Sequence, residues 1–170
     1  MFDTKTLARL GVVKTTGENP GPTVFEADTR RVFTFNLDSN SATVVDADAA
    51  KVVGSFDLGG KPELAGSDGK GNAFVNLVQK NVVLHIDAQK MAVVRSWPVA
   101  LCVGPRTMAV DPAADRLFVG CANRMMAALD AANGRVVATL PIGAGPDDSA
   151  FDADISEPAP LPGAIGRLDA

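Results

Sequence analysis

One histidine, two cysteines and a scatter of carboxylates are the side chains in this 170-residue sequence that could do chemistry. His85 lies in Val82-Val83-Leu84-His85-Ile86-Asp87. No second histidine and no nucleophile accompanies it, so the partner that acid–base, metal or nucleophilic work requires is missing. It reads as a strand histidine with its hydrogen bonds satisfied. Asp46, Asp87 and Asp130 each stand six and seven residues before an apolar pair: Val52-Val53, Val93-Val94 and Val136-Val137. A residue that recurs in every unit does not mark a single active site. These carboxylates read as turn formers that accept nearby backbone N–H groups, and Asn36, Asn76 and Asn123 read the same way. Asp147, Asp148, Asp152, Asp154 and Glu157 make an acidic run without the alternating Asp/Asn and Gly of a calcium loop. Gly143-Ala144-Gly145-Pro146 is no dinucleotide loop, because Pro removes an N–H donor and no helix follows. Met125-Met126 reads as strand packing. No cofactor and no metal site is expected.

Composition narrows the partners. The formal net charge of −4 argues against a surface that tracks phosphates or adheres to anionic lipid. No apolar run approaches the roughly 20 residues that span a bilayer. The start, Met1-Phe2-Asp3-Thr4-Lys5, lacks the basic and apolar stretches of a secretory signal. Cys102 and Cys121 are too few for a disulfide scaffold and lack zinc-ligand spacing.

The elements that must position these residues repeat. Asp3, Asp46, Asp87 and Asp130 keep step with a second marker, a proline in Gly21-Pro22, Lys61-Pro62, Gly104-Pro105 and Gly145-Pro146. A third marker is a Phe-centred strand: Val32-Phe33-Thr34-Phe35, Ala73-Phe74-Val75-Asn76 and Leu117-Phe118-Val119-Gly120. Each unit of about 40 residues reads as four short strands between turn signals, which is the pattern of a β-propeller blade. No segment sustains helical periodicity. The expectation is an all-β fold, a partial β-propeller spanning residues 1–152. Its complete four-stranded antiparallel blades lie at about 23–57, 63–98 and 106–141, with lone strands at 4–13 and at Asp148–Phe151. Three prolines within Pro158–Pro162 cannot continue a sheet, so residues 153–170 are expected to form a disordered tail.

The units resemble the YVTN-type repeats of YncE-like β-propellers. Leu117-Phe118-Val119-Gly120, Ala128-Leu129-Asp130 and Val136-Val137-Ala138-Thr139-Leu140-Pro141-Ile142-Gly143 carry the resemblance, as do Val44-Val45-Asp46 and Val52-Val53-Gly54-Ser55-Phe56. The second unit departs from it with Lys61 and with Trp97-Pro98. The resemblance implies a wheel of about seven blades, commonly exported to the periplasm or cell surface. This chain is then expected to be a piece of a longer propeller, or else a half-propeller that associates through its open ends. Cys102 falls about three places from Cys121 if the first two strands of the third unit pair, near enough to bridge in an oxidising compartment. Two buried small side chains is the other reading. Ligands of such wheels meet the end that carries the blade-to-blade crossings, where Lys61, Glu63, Arg106, Asp147 and Asp148 are placed. The expected function is a non-enzymatic scaffold that binds a small molecule or protein. The alternative is part of a propeller enzyme of the lactonase or amine-dehydrogenase-like type.

Overall fold

Alternation of side chains along short β-branched runs, broken by Asp, Asn and Gly, dictates meanders, and meanders are what form. The structure, a computed structural model, describes residues 1–152. Twelve strands make three four-stranded antiparallel sheets, each joined in sequence order. The first contains β1 (Pro20–Glu26), β2 (Arg31–Asn36), β3 (Ser41–Asp46) and β4 (Lys51–Asp57). The second contains β5 (Pro62–Ser67), β6 (Asn72–Leu77), β7 (Val82–Asp87) and β8 (Ala92–Pro98), with one short 3-10 turn at Val78–Lys80. The third contains β9 (Pro105–Asp111), β10 (Arg116–Cys121), β11 (Met125–Asp130) and β12 (Val136–Pro141). The first strands are neighbours, β1 beside β5 and β5 beside β9, so the sheets radiate from a common edge.

Register shows that the three sheets are one repeated unit. Asp46 pairs with Arg31, Asp87 with Asn72 and Asp130 with Arg116. Each of these aspartates then accepts amides of the turn that follows: Asp46 from Ala49 at 2.7 Å, Asp87 from Lys90 at 2.9 Å and Asp130 from Ala132 at 2.9 Å. A second acidic position, not singled out in the sequence, works alike at the first turn. Asp68 accepts from Lys70 N–H and Asp111 from Ala113 N–H, and Glu26 accepts from Thr29 N–H.

The proline marker needs one correction. Pro20, not Pro22, matches Pro62 and Pro105, because these three pair with Asn36, Leu77 and Cys121 at the ends of the equivalent second strands. Asn19 precedes Pro20 in the left-handed conformation (φ 53°), the place Gly104 takes in the third sheet.

Two apolar layers hold the sheets together. Phe33, Phe35 and Val44 of the first meet Val75, Leu84 and Ile86 of the second. Phe74, Val83 and Trp97 of the second meet Leu117, Val119 and Leu129 of the third. Fully burying each such side chain is worth about 1.5–3 kcal/mol. Polar ties add register. The fully buried Glu26 accepts Gly71 N–H across the first layer at 2.9 Å, and Lys70 pairs with Asp115 across the second at 2.8 Å. Gly134 (φ 75°) fits against Trp97 so closely that a Cβ would lie 2.0 Å from its ring.

The lone end strands do not form. Residues 4–13 contribute only Arg9 to an isolated bridge with Phe2, where Asp3 gathers the amides of Lys5 and Thr6 into a turn. This N-terminal segment arches over the first sheet, leaving a groove of about 490 Å³ lined by Leu10, Val12, Val13, Val32 and Val45 among others. Asp148–Phe151 is likewise not a strand. Instead Phe151 folds back onto Phe118. In both cases the segment pairs with no edge of the three sheets and lies over a face instead. The expected tail at 153–170 lies outside the described residues.

Candidate functional site

Of the five charged residues proposed from the sequence, Lys61, Glu63 and Arg106 flank the prolines that begin β5 and β9, at the end that carries the crossings, and Asp147 and Asp148 follow Pro146 in the segment after β12. Glu63 and Arg106 take the same place, one residue after Pro62 and Pro105 on the neighbouring strands β5 and β9. Glu63 is half-buried; Lys61, Arg106, Asp147 and Asp148 are exposed. No hydrogen bond or ion pair joins these five to one another. Asp148 accepts the amide of Ser149 at 2.7 Å. They are a loose set of surface charges rather than a built pocket.

The crossing from β8 to β9 is a different object. Its backbone is fixed at several points. Cys102 Sγ is joined to Cys121 Sγ, with Cα atoms 5.5 Å apart, inside the range such a bridge needs. Gly104 N–H donates to Asn81 Oδ1 at 2.8 Å, and Val103 N–H donates to Asn123 Oδ1 at 3.1 Å. Asn123 returns a hydrogen bond from Nδ2 to Leu101 O at 2.8 Å. Between these anchors Leu101 is 72% exposed and Val103 58%. Fixed loops on a rigid sheet are where binding residues are usually carried. Apolar side chains held outward, with Arg106 close in sequence, have the composition of a protein-binding anchor and its polar rim. The sequence pointed to Cys102 and Arg106 but not to Leu101 and Val103. The available signal was an apolar residue on each side of a cysteine in a stretch between strands.

The remaining candidates are structural. His85 hydrogen-bonds through Nε2 to Asn72 Oδ1 at 2.7 Å and stacks on Phe74, centroids 5.2 Å apart, and against Trp97. Its Nδ1 is buried without a partner. Burial lowers its pKa below the ordinary value, helped by Arg95 and opposed by Asp68 and Asp87, so the ring is neutral at pH 7. Glu26 is the converse: burial raises its pKa, but hydrogen bonds from Thr29, Gly71 and Asp28 outweigh this and the net shift is downward. Of the three asparagines read as turn formers, only Asn123 lies in a turn and serves its loop. Asn36 and Asn76 are fully buried, donating to Ser41 and Thr43 and to Thr107 O respectively. Among the described residues no three His, Cys, Asp or Glu side chains are placed to hold a metal ion.

No protein-family model and no curated protein sequence matches the chain. Among solved structures it is similar to a chain of hydrazine synthase from Kuenenia stuttgartiensis, a propeller-containing protein, with 27% identity and a TM-score of 0.64. The three sheets are propeller blades. They are numbered 1 to 3 in chain order below. The match covers 72% of this chain and 37% of that one, so this chain spans little more than a third of the length of its structural neighbour.

Proposed function

We propose that this chain is a non-enzymatic β-propeller scaffold of the YVTN-repeat, YncE-like type that binds a protein at its crossing-bearing end. The observation that carries the reading is the fixed crossing that projects Leu101 and Val103. A loop already held in place loses little conformational freedom on binding. The Cys102–Cys121 bridge and the repeat resemblance both favour an oxidising compartment, hence export. Arg106, Lys61 and Glu63 supply the polar rim, and Asp147 and Asp148 extend it. A bead-bound chain exposed to a periplasmic extract tests this. A partner retained by the unaltered chain and lost with Leu101→Asp and Val103→Asp supports the reading. Equal retention by both forms opposes it.

A second reading, part of a propeller enzyme of the lactonase or amine-dehydrogenase-like type, draws on the likeness to a chain of hydrazine synthase, an enzyme by name. On that reading the chain is the scaffold and a partner chain supplies the reacting groups.

A further inference from the structure

The three crossings start alike and continue differently. Leu58, Val99 and Ile142 each donate a backbone N–H to the residue just before the third strand of their blade: Asn40 O at 2.8 Å, Asn81 O at 3.0 Å and Arg124 O at 2.9 Å. From there to the next proline, residues 99–105 make a path two residues longer than 58–62 or 142–146. The short crossings are filled by Gly59-Gly60-Lys61 and Gly143-Ala144-Gly145, the long one by Ala100-Leu101-Cys102-Val103-Gly104. Neither backbone nor core calls for Leu101. It is left-handed at φ 63°, a conformation that Gly59 and Gly145 take in the other crossings and that a Cβ disfavours. Its side chain enters no apolar layer and stands in water, as does that of Val103. An apolar residue held outward at a backbone cost is placed for something outside the chain.

The charges around this crossing have one sign. Lys80 precedes Asn81 and Arg124 follows Asn123, the two asparagines that clasp the crossing from blades 2 and 3. The Lys80 stem lies over the neighbouring crossing, its Cε 3.5 Å from where a Gly60 Cβ would stand, beside Lys61. Arg106 follows Pro105. All four cations are exposed, and none of them forms an ion pair among the described residues. The acidic residues nearest in the repeat are Asp57, which accepts Gly59 N–H at 2.9 Å, and the half-buried Glu63. The opposite end of the blades uses its cations differently. There Arg30, Lys70 and Lys90 are held by Asp48, Asp115 and Asp87, and Arg31 donates to Ala88 O and Gln89 O; Lys51 and Arg135 are unpaired. The net charge of −4 therefore conceals a local basic patch around two outward apolar side chains.

We propose that the crossing at 99–105 takes an acidic protein segment. Leu101 and Val103 pack among apolar side chains of the partner, while Lys80, Arg124, Arg106 and Lys61 meet its Asp and Glu carboxylates. The inference rests on the reading of this end as protein-binding; it adds the partner's charge and two residues, Lys80 and Arg124. A projecting loop does not enclose a small molecule. The net charge opposes an extended anionic lipid surface, whereas a protein segment has to meet this patch alone. Exposed rim charges act mainly on the rate of encounter.

The test selects phage-displayed random peptides of about 12 residues on the full chain, with counter-selection on the Leu101→Asp, Val103→Asp variant. Association of the synthesised peptides is then followed by interferometry, and circular dichroism checks that each variant is folded. The selected peptides should carry more Asp and Glu than Lys and Arg beside Leu, Ile, Phe or Trp. Lys80→Glu with Arg124→Glu should slow association about ten-fold or more at low salt. Lys51→Glu with Arg135→Glu, the same change of net charge at the opposite end, should slow it less than about three-fold. Where a charge-reversed pair fails to fold, the corresponding Gln variants make the same comparison. Crossing-dependent peptides without acidic excess, or equal slowing by the two pairs, overturn the inference and leave the protein-binding reading standing. The absence of any crossing-dependent peptide overturns both. Binding to phosphatidylglycerol vesicles that Leu101→Asp with Val103→Asp abolishes also overturns the inference, by assigning the surface to lipid.

Discussion

The two outer faces of the blade array are built from the same repeat and closed in opposite ways. Over blade 1 the chain is hydrogen-bonded down, with Thr16 and Glu18 donating to Thr43 and Ser39. Over blade 3 the chain is laid on by apolar contact, Phe151 on Phe118. The first face carries polar groups at Thr34, Asn36, Ser41 and Thr43 beside Val32 and Val45, which line the groove under Leu10, Val12 and Val13. The second leaves an apolar face under a cover with no ladder. Periodicity fixes turns and internal layers in all three blades alike. The chemistry of an outer face is fixed instead by what lies against it.

The largest expected effect separates internal from outer positions. Phe33→Ala should lower unfolding stability in urea by about 3–5 kcal/mol, because a fully buried ring is lost from a closed layer. Phe118→Ala, at the equivalent place, should lose only about 1–2 kcal/mol, since its cover is partial. Equal losses would break the comparison. The next effect concerns the side of blade 3 that faces inward. The unreduced, denatured protein should show no free thiol on titration, and Cys102→Ser with Cys121→Ser should lower stability by about 3 kcal/mol for a closed loop of this length. Two reactive thiols in the unreduced protein would remove the clamp from the account.

A smaller effect probes the polar end. Asn36→Leu installs the residue that blade 2 carries at the same place, yet it should destabilise by about 1–2 kcal/mol. The reason is that Ser41 and Thr43 lose their bonds to Asn36 Nδ2 under the Thr16 segment. An increase in stability would show that the polar face is not matched to its cover. The shallowest effect is the acid limb. The pKa of His85 is lowered on folding, so its neutral form stabilises the protein above about pH 6.5 and that contribution is lost as pH falls through the folded value. The folded pKa of Glu26 is also lowered, so its contribution is intact above 4.5 and is lost at lower pH still. Urea midpoints should fall in two stages on acidification, and His85→Phe should remove the first alone.

Much of the fold was legible because its signals are local. An aspartate that gathers turn amides and a Phe-centred strand recur in every unit and need no long-range knowledge. The register of the innermost strand was not legible. Two prolines, Pro20 and Pro22, compete for one place, and only pairing with Asn36 decides between them. The end segments misled for a related reason: the repeat placed strands at 4–13 and at Asp148–Phe151, and neither segment pairs with an edge of the three sheets. At the candidate site the charges could be placed by counting from the repeat. The exposure of Leu101 and Val103 depends on Asn81, Asn123 and Cys121 meeting the crossing from other turns, which no local pattern records.

Amide hydrogen exchange across the whole chain compares the two outer faces most directly. Opening free energies track how many bonds and contacts hold each segment. The account predicts slow exchange at Thr16 and Glu18, whose amides are bonded onto blade 1, and rapid exchange at 147–151 over blade 3. Equal protection of the two segments, or slower exchange at 147–151, would contradict it.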